Sequence, residues 1–116
     1  MFNFSILKAK FSNVDLINES KVVVNSELVQ VFDYLKNTPE FDFDILTSII
    51  AIDLTDKIEL IYQLMSSETS ETLSVSYYTD NYTAPTVTDI YKSANFDECE
   101  IFDLFGVEFI GNKNLK

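Results

Sequence analysis

The chain has 116 residues, 47% of them hydrophobic and 14% aromatic, which is enough for one core and too few for a second. Nineteen acidic against eight basic residues give a formal net charge of −11, which argues against nucleic-acid binding and against direct contact with anionic lipid. With no histidine and a single cysteine, Cys99, the sequence lacks an imidazole base, a His-containing metal site and a cysteine-rich cluster site.

Taken in chain order, Phe2, Phe4 and Ile6 alternate with polar positions and predict a first strand. The start lacks the basic residues and apolar run of a signal peptide, and no segment approaches the roughly 20 apolar residues of a membrane span. A cytoplasmic chain in a reducing compartment is therefore expected. Lys21 to Asn25, with three valines, reads as a short strand or an extended lead-in. From Ser26 the period changes: Leu28, Val31, Phe32 and Leu35 follow helical spacing, with Ser26 as N-cap, Glu27 at the positive end and Thr38-Pro39 as the stop.

Three strands are predicted next, over Phe43 to Leu54, Lys57 to Met65, and the alternating segment around Leu73, Val75 and Tyr77. Short turns between them favour an antiparallel meander, and the half-polar third strand implies a wet face or an edge. After a loop from Thr79 to Pro85, Thr86 and Asp89 form a capping pattern for a helix that buries Val87, Ile90, Tyr91 and Ala94. The expected fold is α+β: one domain over residues 1–116, an antiparallel sheet of about four strands with helices packed on one face.

Catalytic motifs are missing. The only glycines are Gly106 and Gly111, so neither a GxGxxG nor a P-loop signature is present. Asp42 with Asp44, and Asp53 with Asp56, could in principle bind Mg²⁺ or exchange protons, but their spacing fits solvated turns and strand ends better. Cys99, flanked by Glu98 and Glu100, is disfavoured as a thiolate and reads as a structural thiol. No catalytic, cofactor-binding or metal-ligating residues are assigned.

Residues 94–111 read Ala-Asn-Phe-Asp-Glu-Cys-Glu-Ile-Phe-Asp-Leu-Phe-Gly-Val-Glu-Phe-Ile-Gly. Asp97 predicts an N-cap with Glu100 reaching back to it, and Phe96 with Ile101 a hydrophobic staple. Ile101, Leu104 and Phe105 form the predicted apolar face. Gly106 can stop the helix in the left-handed conformation, and Val107 and Phe109 continue as a strand-like tail.

This segment resembles the 30-kDa subunit family of respiratory complex I, the NADH–quinone oxidoreductase of bacteria. The family motif runs close to Ala-x-Trp-x-Glu-Arg-Glu-x-Tyr-Asp-Met-Phe-Gly-Ile-x-Phe-x-Gly-His-Pro-x-Leu-Arg. Identical positions here are Ala94, Glu98, Glu100, Asp103, Phe105, Gly106, Phe109, Gly111 and Leu115. Phe96, Phe102, Leu104, Val107 and Lys116 are conservative replacements, and Pro85 to Tyr91 is similar to the family's Pro-Ser-Val-x-x-Ile-Trp. The resemblance spans residues 21–116. Cys99 stands where the motif has Arg, and Asn112-Lys113 where it has His-Pro. The sequence ends at Lys116, where longer members continue with a tail. The short length and altered motif favour the branch found in membrane-bound energy-converting [NiFe] hydrogenases.

The resemblance implies a non-catalytic subunit of a peripheral arm, without bound cofactor. Such a subunit docks against a large catalytic subunit and a small iron–sulfur subunit, and meets the membrane only through the complex. Glu98, Glu100 and Asp103 are then expected to offer a negative helix face to the large subunit, with Phe105, Gly106 and Phe109 fixing the tail against it. The acids could instead only cap and solvate the helix. A free-standing acidic protein-binding module, outside any complex, is the alternative from a different class.

Overall fold

A computed structural model describes residues 2–115; Lys116, matched to the last motif position, lies outside the described residues. In chain order the elements are α1 (Phe4–Lys10), β1 (Val14–Asn18), β2 (Lys21–Val24), α2 (Leu28–Asn37), β3 (Ile45–Asp53), β4 (Ile58–Met65), β5 (Thr72–Thr79), β6 (Thr83–Pro85), α3 (Ala94–Phe105) and β7 (Glu108–Ile110). The fold is α+β as expected. Its main sheet has five strands in the order β1-β2-β5-β4-β3, and β6 pairs with β7 in a separate parallel ladder.

The predicted first strand is a helix. Asn3 caps it, its side chain accepting from the Ser5 N–H at 3.0 Å, and Leu7 buries completely while Phe4 and Ile6 bury only in part. The cap and one apolar anchor outweigh a three-residue alternation. The extra sheet strand comes from Val14–Asn18, whose burial pattern has one buried residue followed by four exposed ones and so carries no period-2 signal.

α2 buries the four residues that its period marks, Leu28, Val31, Phe32 and Leu35. Its cap differs from expectation: Glu27 occupies the N-cap in the left-handed region (φ 57°), with no side-chain cap bond. The Ser26 carbonyl is used instead by the Asn13 side-chain amide. Phe32 meets Tyr62 edge-on at 5.0 Å and Tyr91 at 5.8 Å, joining helix, sheet and the segment before α3.

β3, β4 and β5 form the expected meander, with Leu60 opposite Ala51 and Tyr77 and Tyr62 opposite Ile49 and Val75. Leu60, Tyr62 and Leu64 face the core, so Glu59, Ile61, Gln63 and Met65 face away from it. The half-polar β5 lies in the middle of the sheet, parallel to β2, and is no edge. Its serines suit that place because they bond across the strands: Ser74 Oγ donates to Gln63 Oε1 at 2.8 Å, and Ser76 Oγ to Glu59 Oε2 at 2.7 Å. Glu59 is also 3.5 Å from Lys21 Nζ, so this buried carboxylate is paired.

The helix predicted from Thr86 to Ala94 is absent. One turn closes there, with the Ile90 and Tyr91 N–H groups donating to the Val87 carbonyl. The backbone at Thr86 belongs to the β6–β7 ladder, its N–H donating to Ile110 O at 2.9 Å, and the Thr86 hydroxyl bonds Glu98 in place of Asp89. Val87, Tyr91 and Ala94 are nonetheless buried, as their spacing indicates.

Candidate partner interface

α3 begins at Ala94, three residues before the expected cap. Asp97 sits in its first turn and reaches sideways: its Oδ2 accepts from the Ile49 N–H of edge strand β3 at 2.8 Å. Two more side chains satisfy the same strand and its approach. Ser93 Oγ donates to Leu46 O at 3.0 Å and Tyr91 Oη to Phe43 O at 2.6 Å. Burial raises the Tyr91 hydroxyl pKa well above its ordinary value, with the Asp44 charge adding to it. The three contacts climb both chains together, so α3 sets off alongside β3 in the same direction.

The structure corrects the expectation for Glu98. Its side chain points inward and is 0% exposed, so it offers no outward negative face. The carboxylate accepts from Thr86 Oγ1 at 2.6 Å, Val87 N at 2.9 Å and Asn112 Nδ2 at 2.9 Å. Desolvation raises its pKa, and these three donors hold the rise in check. Glu98 therefore ties α3 to the segments on either side of the β6–β7 ladder. Asn112 fills here the place of the motif's His, as a donor to that carboxylate.

Glu100 and Asp103 do lie on the outer surface of α3. A hydrophobic staple would cover Phe96, and the expected apolar face would bury Leu104, yet they are 71% and 72% exposed. Because α3 starts at Ala94, its inward stripe is Ala94, Glu98, Ile101 and the partly buried Phe105. Phe96, Glu100 and Asp103 follow one another on the opposite stripe, with Leu104 beside them. Gly106 ends the helix in the left-handed region as expected (φ 76°, ψ 15°), its N–H donating to Phe102 O at 3.0 Å. Phe109 is buried in the core beneath β7, so it fixes the tail within this chain.

The other acids match their expected settings. Asp44 accepts from the Ser67 N–H and hydroxyl at 2.9 and 2.6 Å, which lowers its pKa and ties the start of β3 to the β4–β5 turn. Asp53 accepts from Thr55 N within its turn. Among the described residues, no cluster of three or more His, Cys, Asp or Glu is placed to hold a metal ion. Cys99 is half-buried, 3.8 Å from Asn95 Oδ1 and from Asn114 O. No helix of the described residues is long and apolar enough to cross a membrane.

Fold and site together describe a small α+β domain with a structural polar interior and an acidic, partly apolar outer helix face. Residues 22–116 match the family described as respiratory-chain NADH dehydrogenase, 30 Kd subunit, and the chain belongs to that family. It is 32% identical over 93 residues to the mitochondrial NADH-ubiquinone oxidoreductase 30.4 kDa subunit of Neurospora crassa, covering 77% of this chain and 33% of that one. It is 31% identical over 120 residues to NADH-ubiquinone oxidoreductase subunit 9 of Reclinomonas americana, covering 100% and 57%. A chain of the membrane-bound sulfane sulfur reductase, an archaeal respiratory membrane complex, superposes with a TM-score of 0.78 at 27% identity, over 97% of this chain and 71% of that one. The chain thus spans a third of the first curated relative and little more than half of the second.

Proposed function

We propose that the chain is a non-catalytic structural subunit in the peripheral arm of a complex I-related membrane oxidoreductase, docking a large catalytic subunit and a small iron–sulfur subunit. The observation that carries this reading is the outer stripe of α3. Two large apolar side chains, Phe96 and Leu104, stand open on either side of Glu100 and Asp103, so the stripe offers a partner both apolar area and negative charge. The Neurospora crassa relative supports it further, being itself a subunit of an NADH-ubiquinone oxidoreductase. On this reading the chain binds no cofactor, and it meets the cytoplasmic face of the membrane only through its partners.

The assembly can be of the NADH–quinone oxidoreductase type or of the hydrogenase type that the departures at Cys99 and Asn112-Lys113 favour. The NADH-ubiquinone oxidoreductase relatives support the first, whereas the likeness to a chain of a membrane-bound sulfane sulfur reductase complex supports an assembly outside that type. Mass spectrometry of the complex retained by the tagged chain in its native host separates the types by their electron-input subunits.

Glu98 is unsuited to a test of docking, because its replacement would damage the fold. Glu100→Lys with Asp103→Lys leaves the described hydrogen bonds of α3 untouched. We expect the double variant to fold normally and to lose most of its large-subunit retention in a pull-down. Undiminished retention would overturn the docking role.

A further inference from the structure

The helices leave the far face of the β3–β4 pair uncovered. Ile52 lies opposite Glu59 and Ile50 opposite Ile61 on that face, and they are 39% and 45% exposed. Leu54 extends the row beyond the strand and is exposed as well. Leu104 follows Asp97 by seven residues, so it lies on the same stripe of α3, about 10 Å further along. That distance equals about three strand residues, which brings Leu104 from the level of Ile49 to that of Ile52. α3 packs along β3, so on this spacing the open apolar side chains of the helix and of the sheet stand at one level on either side of the β3 edge.

The charges around this patch are mostly acidic, and its nearest cations are already engaged, Lys21 with Glu59 at 3.5 Å. Asp53 separates Ile52 from Leu54, Asp56 follows in the turn, and Glu100 and Asp103 adjoin Leu104 on α3. Lys57, the neighbouring cation, is drawn over the Tyr78 ring at 4.7 Å. A second copy of the chain would set acid against acid here, a poor match for a molecule of net charge −11. An apolar segment flanked by Lys or Arg would match both the centre and the rim.

We propose that Ile50, Ile52, Leu54 and Leu104 form the apolar centre of one docking surface spanning β3 and α3. Its occupant is a partner-subunit segment with aliphatic or aromatic anchors and basic residues on either side. This rests on the subunit reading above and widens the interface from one helix stripe to a helix–sheet surface.

The test is site-specific photo-crosslinking in the native host. A benzoylphenylalanine is placed singly at Ile52, Leu104, Glu100 or, as a control on the opposite edge strand, Ile17. Crosslinks from positions 52 and 104 should fall on one peptide of one partner subunit, apolar with Lys or Arg within a few residues, and position 17 should not reach that peptide. In parallel, Ile52→Ser with Leu104→Ser should reduce partner retention at least about tenfold while leaving the circular dichroism spectrum unchanged. Crosslinking from position 100 alone would overturn the helix–sheet surface and leave docking through α3 intact. Crosslinks from 52 to a second copy of this chain would overturn the assigned occupant. No crosslink to a partner from positions 52, 100 or 104 would overturn this inference and the docking reading together.

Discussion

At the scale of single residues, Glu98 shows how a charged group can serve structure alone. Removing it leaves the Val87 N–H buried without a partner and takes one hydrogen bond each from the Thr86 and Asn112 side chains, which keep Thr88 and Asn95. Glu98→Ala should cost about 3 kcal/mol and Glu98→Gln, which keeps the shape but faces donors with an amide, about 1 kcal/mol by urea denaturation. The pH dependence has a definite sign. A carboxyl whose pKa is raised in the folded state holds its proton more tightly there, so its contribution to stability is complete below the ordinary carboxylate pKa and falls as pH rises through the raised value. Denaturation midpoints followed upward from pH 4 should show that decline, and Glu98→Gln should flatten it. The two glycines separate strain from sterics. A Cβ on Gly106 meets nothing within 4 Å, so Gly106→Ala should cost about 1 kcal/mol for its left-handed backbone alone. At Gly111 (φ 96°) the added carbon comes within 3.0 Å of Thr86 Cγ2, and the same change should cost about 2 kcal/mol or more.

At the scale of elements, β3 is a nine-residue edge strand whose first half is bonded by side chains from Ser93 and Asp97, and its approach by Tyr91. Such edges otherwise invite pairing with another chain. Asp97→Ala should raise the hydrogen-exchange rate of the Ile49 amide by about tenfold or more and should increase self-association in light scattering. None of this is legible in the sequence, because a carboxylate at a helix start looks the same whether it caps its own helix or a neighbouring strand. A local cap at Asp97 also draws Phe96 and Leu104 inward, which is why both face the wrong way in a reading by pattern. α2 and the β3–β5 meander are readable because their apolar periods coincide with the face that packs. β1 is not, since four of its five residues face solvent, and the segment after Pro85 mimics a helix because Val87, Tyr91 and Ala94 bury at helical spacing although only one turn of it closes. Of the site residues, Glu100 and Asp103 are exposed and Gly106 stops the helix, whereas Glu98 and Phe109 turn inward, which only the packing of β6 and β7 reveals.

For the whole molecule, nineteen acids on one small domain act in two opposing ways. Within the isolated chain they repel one another, so added salt should raise the thermal midpoint, by about 3–5 °C between 20 mM and 0.5 M NaCl. Between the chain and a basic partner they attract, so the same salt should slow association severalfold in a surface-binding experiment. Opposite trends in the two measurements would locate the attraction in the interface.

The parallel pairing of β2 with β5 has a consequence for how the chain is made. Lys21 pairs with Ser74, so about fifty residues must leave the ribosome before the sheet can close. Until then β2 has an empty flank, and the β1–β2 and β3–β4 hairpins stand as separate pieces with α1 and α2. A pause in translation within the β3–β4 region would thus lengthen the interval in which an unfinished sheet is open to a chaperone or to a neighbouring nascent chain.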